Sequence, residues 1–428
     1  MRRRWVTWLL ALLWSLAGAG CITRTPAIDG RIGAQDRRAI DAAVAAIQWP
    51  QRVVTDDPWS DLPHANGWAV DRLGQYGNGY LYGVTEESRF RQYGSHTLAY
   101  FRSNAPTDIQ AMQIQATITH YATGDVDGLS FKLYGNAVAA VMVPPTTPTP
   151  RGMVLMLGSI QSLSTPEQRL VNAFNESGWQ VVYFTFPGTL FAGSGTLQFG
   201  VTEDELAAAF GSRIDNYLGE SAYAAEAIAQ YLSETRAELR DAPIVIIGAS
   251  AGALAAPAAA ARLRDRVAAC ILIGGASNVY SAVLDGRMRS GFVPDQMYTT
   301  EPMDDSGRLR VRTMNGDAAE FRTRVASRTQ LDPAHTAVAI LDKPVLLLLA
   351  RDDDVVPIKY GLELYEGLHK PERWMYPCGH ELMFFFLPRM VDRIVAWTDA
   401  ATSTARSRPA HAGPTPAAGA PAESGVGR

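Results

Sequence analysis

The sequence predicts an α/β fold: a mostly parallel central sheet with helices on both faces, an inserted helical cap and an N-terminal extension. Three observations lead there. From Gly128 onward short apolar runs alternate with longer helical stretches, which is the pattern of strands joined by crossover helices and argues against an antiparallel sandwich. No internal repeat of about twenty to fifty residues is visible, which argues against a solenoid or propeller. The 428 residues exceed the usual single-domain size, leaving room for a core of roughly 250 residues plus extensions.

Taken in order, residues 1–20 read as an export signal and are set apart from the fold. Arg2 to Arg4 give a positive start, and Trp5 to Leu16 an apolar stretch too short for a comfortable membrane span. Residues 21–127 form an extension of unknown role, with a helix expected near Ala34 to Ile47 from the apolar spacing of Ile40, Ala43, Val44 and Ile47. An aromatic-rich stretch, Trp68 to Tyr82, is read there as core.

The core is expected over residues 128–278 and 336–399. Its candidate strands are Leu129 to Tyr134, Val138 to Val143, Met153 to Leu157, Gln180 to Phe184, Pro243 to Ile247, Ala269 to Ile273, Val345 to Ala350 and Glu372 to Tyr376. Pro144 to Pro150 is read as a hairpin-like link between the second and third of these. Helices are expected over Thr165 to Ser177, capped by Ser164 and ended by Gly178, over Glu203 to Leu239, and over Ala251 to Leu263. Residues 279–335 break the rhythm with Arg, Met, Asp and Gly and are read as a helical cap over the site. Residues 400–428, rich in Ala, Pro, Gly, Ser and Thr, are read as a disordered tail.

A net charge of −4 gives no electrostatic footing for nucleic acid. The three cysteines show no metal-site spacing. Cys270 lies in an apolar run and reads as a buried small hydrophobe, and nothing supports a disulfide with Cys378.

The chemistry concentrates around Ile244-Val245-Ile246-Ile247-Gly248-Ala249-Ser250-Ala251-Gly252, a buried strand running into Gly-x-Ser-x-Gly and then an Ala-rich helix. A serine on such a sharp turn projects its hydroxyl from the sheet edge, and the helix N-terminus behind it favours a developing anion. A hydroxyl is a weak nucleophile at neutral pH and needs a base held in the right tautomer by a carboxylate. Both follow downstream. The strand ending at Ala350 runs into Arg351-Asp352-Asp353-Asp354, and Tyr376-Pro377-Cys378-Gly379-His380 places an imidazole at a helix start. The other six histidines lack such a setting.

These elements together resemble the α/β-hydrolase superfamily over about Gly128 to Asp399. The resemblance implies a Ser-Asp-His triad of Ser250, Asp353 and His380, no metal or cofactor, and an acyl-enzyme intermediate. The family's spacing of acid to proline selects Asp353, four positions before Pro357, with Asp352 as runner-up. It implies an oxyanion hole of two backbone amides: that of Ala251, and one from Leu157-Gly158-Ser159-Ile160-Gln161, which resembles the family's His-Gly loop with Leu157 replacing the histidine. The second donor is then Ser159, with Ile160 as alternative. The expected activity is hydrolysis of a carboxylic ester from a small-molecule or acyl substrate. The alternatives are a peptidase or amidase with the same triad, or a non-catalytic binding lipoprotein on the hydrolase fold. Leu190, Phe191 and Phe199 are candidates for lining an acyl pocket.

Ala17-Gly18-Ala19-Gly20-Cys21 resembles a bacterial lipoprotein processing site, with Cys21 as the lipidated residue and a membrane association through that lipid. Cleavage after Ala19 and an uncleaved anchor stay open beside it. All three place the body outside the cytoplasm.

Overall fold

The structure, a computed structural model, describes residues 22–27, 34–49, 89–93, 96–100, 112–117, 121–126, 129–134, 139–143, 146–160, 164–184, 202–287, 297–302, 309–314 and 319–406. Its strands are β1 (Thr23–Thr25), β2 (Arg89–Tyr93), β3 (His96–Tyr100), β4 (Met112–Thr117), β5 (Tyr121–Val126), β6 (Leu129–Tyr134), β7 (Ala139–Val143), β8 (Met153–Leu157), β9 (Gln180–Phe184), β10 (Ile244–Ala249), β11 (Val267–Ile273), β12 (Met297–Pro302), β13 (Leu309–Met314), β14 (Val345–Ala350) and β15 (Glu372–Tyr376). The principal helices are α1 (Ala34–Ala45), α2 (Thr165–Glu176), α3 (Glu203–Thr235), α4 (Ala251–Leu263), α5 (Val279–Asp285), α6 (Ala319–Arg328), α7 (Ile358–Gly367), α8 (His380–Phe386) and α9 (Val391–Arg406).

Eleven strands form one sheet in the order β1-β15-β14-β11-β10-β8-β9-β7-β4-β3-β2. From β15 to β9 all neighbours are parallel. Parallel strands need crossover helices, so both faces are covered and both must be apolar. Successive residues accordingly feed opposite cores: Leu155, Ile246, Leu272 and Leu347 pack on one side with α3 and α4, while Met156, Ile247, Ile271 and Leu348 pack on the other with α2 and α9.

Beyond β9 the sheet continues antiparallel through β7, β4, β3 and β2. Strands β2, β3 and β4, expected in a separate extension, therefore build a wing of the same sheet. Two links differ from expectation for the same topological reason. The Pro144 to Pro150 link is not a hairpin, because β7 and β8 both pair with β9 and not with each other. Leu129 to Tyr134 is a strand, but it pairs with β5 in a separate ribbon. At the opposite edge β1 adds antiparallel to β15.

The insertion is mixed rather than wholly helical, since an antiparallel ribbon of β12 and β13 lies between α5 and α6. Its base is tied to the core by an edge-to-face cluster of Phe210, Tyr280 and Phe321, with centroids 5.6–6.2 Å apart. Helix α9 runs to Arg406, with Thr402 buried, so residues 400–406, read as part of the tail, are helical. Residues 1–21, 68–82, 185–201 and 407–428 lie outside the described residues, and with them Cys21, Leu190, Phe191 and Phe199.

Candidate active site

Ser250 stands between β10 and α4 at the carboxyl edge of the parallel strands. Its backbone sits at φ 52°, ψ −113°, a conformation that costs a residue with a Cβ about 1–3 kcal/mol. Neighbouring backbone holds it there: Ser250 N–H donates to the Ile273 carbonyl at 2.7 Å, and the Ser250 carbonyl accepts from Ala253 N–H at 2.9 Å. Glycine at 252 is required for α4 to start so close to β8, because a Cβ there would lie 2.1 Å from the Leu157 carbonyl oxygen.

The hydroxyl meets its partner across the sheet edge. Ser250 Oγ lies 2.9 Å from His380 Nε2, and His380 Nδ1 lies 2.7 Å from Asp353 Oδ2. A carboxylate can only accept, so it keeps the proton on Nδ1 and leaves the Nε2 lone pair for the serine hydroxyl, which donates. Asp353 Oδ1 accepts from the amides of Val355 at 3.0 Å and Val356 at 2.8 Å, so both oxygens are fixed. All three side chains are buried. The imidazole packs against Gly274, at φ 68°, where a Cβ would sit 2.8 Å from His380 Cε1, and its ring centroid is 5.2 Å from that of Phe384.

The ambiguity among the three aspartates is thereby resolved. Asp352 and Asp354 turn outward, their side chains 61% and 58% exposed, while Asp353 faces the imidazole. The insertion reaches this turn: Arg287 N–H donates to the Asp354 carbonyl at 2.6 Å, and its guanidinium pairs with Glu381 beside His380.

The oxyanion residues divide. Ala251 is the first residue of α4, so no carbonyl of its own helix lies behind its N–H, which remains free to bind an anion. Ser159 does not meet its expected role: its N–H donates at 2.7 Å to Glu167 Oε1. Glu167 is fully buried, and its other oxygen accepts from Ser164 N–H at 2.8 Å and Ser164 Oγ at 2.7 Å. One carboxylate thus ties the loop after β8 to the start of α2. Sequence reasoning stopped at Ser164 as a cap. The signal that would have found Glu167 is Ser-x-x-Glu, the reciprocal capping pattern.

Cys270 and Cys378 are free and buried. Burial pushes the Cys270 thiol up to about 12, and burial with the nearby Asp352 and Asp353 charges pushes Cys378 up to about 11, so neither competes with Ser250 as a nucleophile. Among the described residues no cluster of His, Cys, Asp and Glu could hold a metal ion.

A serine on a strained strand-to-helix turn, a tautomer-fixed imidazole and a buried carboxylate at the ends of parallel strands define the class of α/β serine hydrolases. The chain belongs to the alpha/beta hydrolase family, whose model matches residues 161–397. Solved structures similar to it include Est1E from Butyrivibrio proteoclasticus, at 16% identity over 66% of this chain and 99% of that one, TM-score 0.40. A putative hydrolase from Agrobacterium vitis S4 is 15% identical over 65% and 97%, TM-score 0.38. The esterase domain of a Rhodothermus marinus protein is 15% identical over 68% and 99%, TM-score 0.38. No curated protein matches the sequence.

Proposed function

We propose that this chain is an exported serine esterase that cleaves a carboxylic ester through an acyl-enzyme. The observation that carries the reading is the 2.9 Å contact of Ser250 Oγ with His380 Nε2 from a strained backbone. Ser250 Oγ attacks the ester carbonyl as its proton passes to His380 Nε2, and Asp353 stabilises the imidazolium that forms. The resulting oxyanion is held by the Ala251 amide together with the amide of Ile160, since that of Ser159 is engaged by Glu167. His380 then protonates the leaving alkoxide. Water, deprotonated by the same imidazole, attacks the acyl carbon and releases the acid with Ser250 restored. The partly buried ring of Phe384 beside His380 suits an apolar acyl or alkyl group.

Residues 1–20 and Cys21 support export and a lipid anchor in the cell envelope, with a soluble exported form as the alternative. The test is fluorophosphonate labelling of wild type, Ser250→Ala and His380→Ala, followed by esters of graded chain length against peptides. Labelling lost in both variants, with esters turned over, upholds the reading. A folded wild type that takes no label overturns it.

A further inference from the structure

We propose that the carboxyl edge of the sheet, the edge carrying the triad, is the face this protein lays on a lipid bilayer. This orientation rests on the exported, anchored reading of the chain and extends it. Strand β1 is antiparallel to β15, with Thr23 opposite Met375 and Thr25 opposite Arg373. The chain therefore enters the body at the carboxyl end of β15, just before Pro377-Cys378-Gly379-His380. Ile22 packs on the same apolar cluster as Met383, Phe384 and Phe386 of α8. The side chain of Arg24 fastens the strand through Nε to Glu372 Oε1 at 2.7 Å.

An anchor at Cys21 thus joins the body with a single residue, Ile22, before the sheet begins. One residue spans at most about 3.6 Å, so the body cannot swing away from the surface that holds the anchor. The sheet edge nearest the anchor has to face the bilayer.

That edge is equipped for it. Among the described residues the exposed large hydrophobic side chains are Ile160, Leu362, Leu382 and Phe385. Leu382 and Phe385, 44% and 66% exposed, lie three residues apart on one face of α8, and Ile160 follows β8 at the same edge. Single exposed leucines are ordinary, but an aromatic–aliphatic pair beside the anchoring strand is a group that a headgroup–acyl boundary accepts. Charge does not separate the two edges. Asp352, Asp354, Arg287 and Glu381 are exposed at the catalytic edge, while at the opposite one, where the parallel strands begin, Arg264 pairs with Asp41 and Asp342 and Asp265 is exposed. The exposed apolar pair does separate them.

The test uses the full chain as a bacterial host exports it, bound to phosphatidylcholine–phosphatidylglycerol vesicles that carry a nitroxide lipid. A polarity-sensitive fluorophore is placed at Leu382→Cys or, at the far edge, at Asp265→Cys, with the chain lacking an added cysteine as background. Insertion of α8 to about 5–10 Å predicts that the Leu382→Cys label loses at least about half its intensity and that the Asp265→Cys label keeps its own. No quenching at Leu382→Cys, equal quenching at both positions, or failure of the full chain to bind vesicles overturns the proposal. Fluorophosphonate labelling of the same samples reports separately on the hydrolase reading.

Discussion

Two turns at the carboxyl edge of the sheet use the same device for different ends. After β14, Asp353 accepts two backbone amides on Oδ1 and gives Oδ2 to His380. After β8, Glu167 accepts the Ser159 and Ser164 amides on its two oxygens, and its remaining partner is the Ser164 hydroxyl. In each, one buried carboxylate satisfies amides that a sharp turn would otherwise leave unpaired. The difference lies in what the last lone pairs face. An imidazole makes the turn an orienter of a proton acceptor, whereas a hydroxyl makes it a brace for backbone. A buried carboxylate gripped by amides is therefore not by itself a sign of catalysis. Its last partner decides.

The largest effect should come from breaking the first turn. Asp353→Asn keeps shape but favours the wrong imidazole tautomer, so kcat/KM for an ester should fall about 10⁴-fold with little loss of folding. Asp352→Asn, altering an exposed side chain of the same turn, should leave kcat/KM within about twofold. Equal losses from the two would mean that Asp353 does not orient His380.

The second turn should respond more mildly and in a different parameter. Glu167→Gln turns one acceptor into a donor facing the Ser164 amide, so the loop after β8 loses one of its two fastenings. A slackened oxyanion loop should lower kcat about tenfold while Ser250 still takes the fluorophosphonate and the pH profile set by His380 stays in place. A displaced pH profile would mean that Glu167 acts on the imidazole and that the two turns are not distinct.

The same contrast marks what was legible in the sequence. Three parallel strands, Met153–Leu157, Gln180–Phe184 and Val345–Ala350, were readable to the residue, because strands covered on both faces are largely apolar runs with sharp ends. Glu372–Tyr376 was readable too, although it carries Glu372 and Arg373 and is only half-buried at alternate positions. The wing was not, since its strands, such as Arg-Phe-Arg-Gln-Tyr in β2 and Met-Gln-Ile-Gln-Ala-Thr in β4, mix polar and apolar residues and find their place only through partners distant in sequence. Ser250 and His380 were legible for the reason the strands were: each closely follows one. Among Asp352, Asp353 and Asp354 the composition is blind; the family's acid-to-proline spacing picks Asp353, and side-chain direction agrees. Glu167 was overlooked because its carboxylate works on backbone, so its signal was the Ser-x-x-Glu capping spacing and not a spacing of catalytic residue types.

A third amide-gripping carboxylate tests how far the comparison extends. Where the insertion returns to the core, Asp332 accepts Val279 N–H at 2.8 Å and Ala334 N–H at 2.9 Å, and nearby Asp215 holds the Gln330 and Leu331 amides. Burial pushes the Asp332 carboxyl up to about 7, opposed by its two amides and reinforced by the charge of Asp215, whose own carboxyl burial also raises. With a folded value above the unfolded one of about 3.9, the native state holds a proton that the unfolded chain has released. The associated stability is complete below about pH 4 and is lost as pH rises through about 7, amounting to at most about 4 kcal/mol for Asp332. Urea unfolding should therefore show a lower midpoint at about pH 8 than at about pH 5, and Asp332→Asn should flatten that slope. If the wild-type midpoint stays level, or the variant keeps the slope, the amides outweigh burial at Asp332. The base of the insertion is then held by a charged carboxylate.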